Sequence, residues 1–229
     1  DEISKINIKN YANKDLEDSF LWVIVKGFDS RITALSLGQI ESKKWTINSV
    51  ELKNVKYPAR LIAIEVYEPS SEDNSKPFEL YLNSIELINS NNNLIKTIPL
   101  DNSLNWTELP TSEGFDTRIN YNSEGLVLSL GNGSTRGIRG MYLSNYDQGI
   151  PVIVNSEFIE ESGIEIGERF IFNSSGSYIP MKIEKKINYF SGTSEKYESF
   201  LITDLRLLKN YMELTKLQSF RPNELVVFI

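Results

Sequence analysis

FELYLNSIELI, residues 78–88, carries an apolar side chain at every second position, but the phase slips once. Phe78, Leu80 and Leu82 share one face, and Ile85 and Leu87 follow after Asn83-Ser84. A period of two marks a strand with one buried face, and a one-residue slip is what a β-bulge does to it. The same period spreads outward. In RLIAIEVYE, residues 60–68, Ile62, Ile64 and Val66 alternate. In SFLWVIVKG, residues 19–27, Phe20, Trp22 and Ile24 form one face and Leu21, Val23 and Val25 the other. Both of those faces are apolar, so this strand should be central and covered on both sides. RITALSLGQI, KWTINSVEL and the runs at 94–98, 125–130 and 138–143 add further strands, while the polar run 69–77 reads as a loop. Helical periodicity is missing before about residue 145. Many short strands with closely spaced turn signals predict a mainly β chain that begins with a jelly-roll β-sandwich.

The pattern changes at Gly149. GIPVIVNSEFIEESGIEIGERFIF, residues 149–172, reads as a strand, one or two helical turns opened by Asn155-Ser156 and stopped at Gly163, a turn at Gly167 and a second strand. YIPMKIEKKI extends the sheet after a turn at 173–177, and 188–199 is a loop. FLITDLRLLKNYMELTKL passes from strand to helix, with Thr203 or Asp204 as N-cap and Leu205, Leu208 and Met212 on one face. NELVVFI closes as a strand. Two domains follow: a sandwich at 1–148 and a small α+β unit at 149–229. The chain starts without Met, at DEISKIN, and stops inside an apolar run, which reads as a segment of a longer protein.

Composition narrows the chemistry. The 229 residues contain no cysteine and no histidine. This removes thiolate nucleophiles, disulfides, Ser-His-Asp catalysis and most zinc sites. The net charge of −7 does not suit a nucleic-acid surface, which needs clustered cations. Several groups of residues could carry chemistry, and each has a plainer reading. The glycine-rich 131–140 lacks the Lys-Ser/Thr of a phosphate loop and reads as a strand connection. Glu157, Glu160, Glu161, Glu165 and Glu168 read as a solvated face, with the first two suited to a helix N-terminus. Glu68, Glu72, Asp73 and Asn74 offer oxygens for calcium but match no defined calcium loop. The aromatics Trp22, Trp45, Trp106, Tyr57, Tyr67 and Tyr81 could stack on a sugar. Trp22 reads as core; Tyr67 and Tyr81, on the less apolar faces of their strands, are the candidate ligand-binding residues. No catalytic residue, metal ligand or cofactor is expected.

Two family resemblances emerge from these residues. FLWVIVKG, Trp45 leading a strand, YPARLIAIEV and LYLNSIEL resemble carbohydrate-binding-like jelly rolls, with Asn83 and Ser84 where that pattern carries an aspartate pair. PVIVNSEFIEESGIEIGERFIF, IPMKIEKKINYFSG, ESFLITDLRLLKNY and RPNELVVFI resemble the extracytoplasmic region of FtsX-like (MacB-like) ABC-transporter permeases. Gly163 and Gly167 stand at that pattern's glycines, FSG stands for its FPG, and Val226 or Val227 for its tryptophan. The resemblance implies a non-catalytic domain on the outer side of a cell membrane. Its implied partners are a cytoplasmic ATP-binding subunit, reached through a membrane part, and a glycan, lipoprotein or envelope protein outside. The alternative is a secreted carbohydrate-binding protein with Tyr67 or Tyr81 as platform.

Overall fold

The computed structural model describes residues 3–16, 18–69, 77–111, 114–131, 139–144, 146, 149–174, 176–188 and 199–216. The chain divides into two compact units, 1–147 and 148–229.

The first unit is a sandwich of two antiparallel sheets. One has the order β4 (Thr46–Glu51), β1 (Ile3–Ala12), β6 (Phe78–Asn89), β10 (Gly125–Leu130), β9 (Arg118–Asn122), with β7 (Leu94–Pro99) also paired to β6. The other runs β3 (Ile32–Gln39), β2 (Phe20–Lys26), β5 (Arg60–Tyr67), β11 (Arg139–Leu143), β8 (Trp106–Glu108). Within this unit and among the described residues, β2–β3, β6–β7 and β9–β10 are hairpins, and the other connections between consecutive strands cross from sheet to sheet. The core between the sheets takes Ile6, Ile8, Leu21, Val23, Val25, Ile64, Val66, Phe78, Leu80, Leu82, Ile85, Leu126, Leu128 and Met141.

The slip in 78–88 is a bulge. Lys9 of β1 faces Ser84 and Asn10 faces Leu82, so Asn83 has no partner on that side. One extra residue restores the phase, and both halves of β6 face the same core. On its other side β6 changes neighbour at the same point, from β10 along Phe78–Leu82 to β7 along Ser84–Ile88. The Asn83 side chain donates to the Glu124 carbonyl at 2.8 Å, and its own carbonyl accepts from Leu100 N at 3.2 Å. The bulge is thus a branch point between two neighbouring strands.

Two details correct the sequence reading. Trp22 is not core: the sandwich interior takes Leu21, Val23 and Val25, while Trp22 stands half-buried on the outer face. The outer face is nevertheless covered at Ile24 and Ala63, both wholly buried. Ile62 also leaves the core set, because a register shift in the β2–β5 pair brings Leu61 opposite Val25 and against the core instead. Strand β1 is central, between β4 and β6, yet its inward set is interrupted by Asn10. That side chain is wholly buried and donates to the Ile8 carbonyl and to Asn48 Oδ1 at 2.8 Å.

The second unit has a four-stranded sheet in the order β13 (Arg169–Ser174), β14 (Ser177–Lys186), β12 (Ile150–Val154), β15 (Leu201–Thr203), with β12 parallel to β14 and the other pairs antiparallel. Helix α1 (Ser156–Ser162) follows β12. Asn155 caps it, accepting from Phe158 N at 3.1 Å, and the same oxygen accepts from Phe200 N at 3.0 Å, tying the helix start to the lead-in of β15. Gly163 ends the helix at φ 69°, its N–H bonded to the Ile159 carbonyl. Gly167 turns the chain at φ 90° and donates to the Ile183 carbonyl at 2.7 Å. Helix α2 (Leu205–Lys216) packs on β14 through Tyr211, Met212 and Leu214, and the Tyr211 hydroxyl donates to the Tyr178 carbonyl. Asp204 rather than Thr203 stands at its start, accepting from Arg206 N at 2.7 Å. Leu205 is exposed and does not join the buried face, since only the second half of the helix is covered. The expected strand NELVVFI and the loops at 70–76, 132–138 and 189–198 lie outside the described residues. Among the described residues no helix is long and apolar enough to cross a membrane.

Candidate functional site

Tyr67 and Tyr81 do not belong to one surface. Tyr81 lies between the core residues Leu80 and Leu82 of β6, so it points out of the β4-β1-β6-β10-β9 sheet. Tyr67 follows core Val66 in β5 and points out of the opposite sheet. The sandwich separates them, and each needs its own description.

Around Tyr81 the sequence places aromatics at one level across β6, β1 and the lead-in to β4. Tyr11 of β1 is its register partner, with ring centroids 5.6 Å apart in an edge-on arrangement. Trp45, just before β4, lies 5.6 Å beyond Tyr11 on the other side, and the Lys9 ammonium sits 5.4 Å from the Trp45 ring centre. Glu79 gathers polar contacts at the end of the row: its Oε2 accepts from the Tyr81 hydroxyl at 2.9 Å and from Asn13 Nδ2 at 3.0 Å. Donation to that carboxylate raises the Tyr81 hydroxyl above its ordinary value, because removing its proton would leave two negative oxygens in contact.

Around Tyr67 the arrangement is different. Its ring meets that of Trp22 at 84°, with centroids 6.2 Å apart. Tyr67 is 43% exposed. Beside them on the same face stands Glu65, the register partner of Trp22 on β2 and of Gly140 on β11. Only 5% of Glu65 is exposed, and burial, the sole cause acting on it, pushes its carboxyl up to about 8. The Trp22 Nε1–H is buried and has no hydrogen-bond partner among the described residues. Gly140 cannot be replaced without movement, because a Cβ there would stand 2.3 Å from the Ile64 carbonyl oxygen. The position beside Glu65 therefore has to lack a side chain.

The remaining candidates become structural. Glu68 is held by the wholly buried Arg139, whose guanidinium also donates to the Gly131 carbonyl and lies 5.2 Å over the Phe78 ring. It also accepts from the Ser19 hydroxyl. Its calcium companions Glu72, Asp73 and Asn74 lie outside the described residues. Among the described residues no group of three or more acidic side chains is placed to hold a metal ion. Glu165 and Glu168 work locally, the Glu168 carboxylate accepting from Glu165 N at 2.8 Å across the turn that contains Gly167.

No family model, curated protein or solved structure matches this chain. The functional reading therefore rests on the residues and their geometry.

Sequence reasoning missed Glu65. The signal available was a single acid inside the apolar run LIAIEVY of a central strand. Alternation alone sends position 65 outward, where a glutamate is ordinary.

Proposed function

We propose that this chain is a non-catalytic extracytoplasmic domain of an FtsX-like ABC-transporter permease. Its role would be to transmit movement driven by a cytoplasmic ATP-binding subunit to a substrate or envelope partner outside. The observation that carries the reading is the build of the second unit. The residues that resemble the permease pattern are also its structural joints. Asn155 ties β12, α1 and the lead-in of β15 with one oxygen, and Gly163 and Gly167 take the left-handed conformations that end the helix and start β13. Such a unit gains rigidity from caps and turns that cost little in side-chain entropy. Rigidity suits an element that passes on displacement rather than chemistry. The test is purification of the full-length protein from its native membranes. Recovery with an ATP-binding subunit supports the proposal; recovery from the medium, free of such a subunit, overturns it.

A second reading, a secreted glycan-binding sandwich, is favoured by the row Trp45, Tyr11 and Tyr81 beside Glu79 and Asn13. Aromatic faces stack on the apolar faces of sugars while neighbouring polar groups take their hydroxyls. Saturable glycan binding that Tyr81→Ala abolishes would support it.

A further inference from the structure

We propose that Trp22, Glu65 and Tyr67 form a binding site for an organic ammonium ion on the outer face of the β3-β2-β5-β11-β8 sheet. This goes beyond the permease reading and does not depend on it. Two observations converge on one spot. First, Trp22 and Tyr67 meet at 84° with centroids 6.2 Å apart, so their rings form two walls of a corner. A cation resting in such a corner meets the negative face of an aromatic ring, an attraction that strengthens as water is excluded.

Second, the acid beside this corner has no partner among the described residues. Glu65 is nine-tenths buried, and neither a hydrogen bond nor a charge acts on its carboxyl. Its register and same-strand neighbours on this face are Trp22 of β2, Gly140 of β11, and Ala63 and Tyr67 of its own strand. None of them is charged at neutral pH. A buried acid that served only stability would be paired or replaced by an apolar residue. An acid this deeply covered, with no partner among the described residues, marks a place that something else completes. An ammonium group supplies what is missing, since its charge stabilises the ionised carboxylate while its apolar substituents fill the aromatic corner. The net charge of −7 further favours a cation over an anion.

Binding is coupled to a proton. At neutral pH the free site holds the Glu65 proton, and a bound cation drives it into solvent. Saturation at pH 7 should therefore release about one proton per site. Affinity should rise as pH increases from 6 to 9, because less work is then spent removing that proton.

Tetramethylammonium chloride is the probe, with sodium chloride at equal concentration as control. Tryptophan fluorescence reads occupancy, and calorimetry in buffers of different ionisation enthalpy reads proton release. The expected result is saturable binding weakened about tenfold or more by Glu65→Gln and by Tyr67→Ala. Tyr67→Phe, which keeps the ring, should bind as the native chain does. The pH dependence and the proton release should vanish in Glu65→Gln. Each variant's far-ultraviolet circular dichroism confirms that it is folded. Absence of saturation overturns the proposal, as does unchanged binding in folded Glu65→Gln and Tyr67→Ala. Binding of methyl glucoside that needs Tyr67 but not Glu65, without binding of the ammonium probe, also overturns it and makes this face a sugar platform.

Discussion

Replacing Glu65 by glutamine should stabilise the sandwich, and by an amount that grows with pH. The carboxyl titrates near the ordinary 4.5 when the chain is unfolded and near 8 when burial strips its water. Between those values the folded chain holds a proton that the unfolded chain has released. Each pH unit in that window therefore lowers native stability by about 1.4 kcal/mol. Stability is undiminished below pH 4.5, falls through the window, and has lost roughly 5 kcal/mol above pH 8. Glutamine keeps the shape and cannot ionise. Near pH 4.5 the variant should match the native chain within about 1 kcal/mol, since it exchanges one neutral polar group for another. At pH 7 it should be more stable by about 3 kcal/mol, and at pH 8.5 by roughly 5 kcal/mol. Urea denaturation followed by tryptophan fluorescence is the assay, because Trp22, Trp45 and Trp106 all lie in the first unit. With a slope of about 2 kcal/mol per molar, the midpoint should rise by roughly 1.5 M at pH 7 and hardly move near pH 4.5. Equal midpoints across the pH range, or a less stable variant at pH 8.5, would refute the reasoning and show that Glu65 is solvated or paired.

Arg139→Met should cost about 3–5 kcal/mol, read by the same fluorescence assay, because it removes the buried guanidinium that pairs with the Glu68 carboxylate and donates to the Gly131 carbonyl. Adding Glu68→Gln to it should recover part of that loss, and no recovery would mean that the ion pair is incidental. In the second unit, Asn155→Ala should cost about 1–3 kcal/mol, since one oxygen serves both Phe158 N and Phe200 N. Circular dichroism melting of the isolated 148–229 segment, or of the whole chain should that segment not fold alone, would read it. Gly163→Ala should cost about 1 kcal/mol by the same measurement. Nothing lies within 4 Å of the added methyl, so a much larger loss would mean a clash rather than backbone conformation.

The strands that pattern reveals are those whose neighbours share a single rule. β6 declared itself together with its bulge, because an apolar phase slip is recorded in one strand alone. β1 did not. Asn10 stands in its inward row and its outward row is Lys5, Asn7, Lys9 and Tyr11, so only Ile6 and Ile8 alternate cleanly within a strand that is in fact central. β8 and β9 are short or mostly exposed edge strands and carry almost no apolar signal. Trp22 was misplaced because a strand apolar on both faces does not say which face the opposing sheet will cover. In the second unit the caps were legible, since Asn155 and Gly163 act through their own local backbone. The candidate site was legible only in Tyr67. Glu65 becomes unusual through Trp22 on one strand and Gly140 on another, and such pairings arise from register between segments 43 and 75 residues away in the chain.

The central claim, that this chain is an extracytoplasmic domain held at a membrane, is tested most directly by reading the encoded residues on either side of Asp1 and Ile229. The account predicts an apolar run of about 20 residues on each side, long enough to cross a bilayer as a helix. A cleavable leader just before Asp1 together with a stop codon shortly after Ile229 would contradict it and describe a free secreted protein.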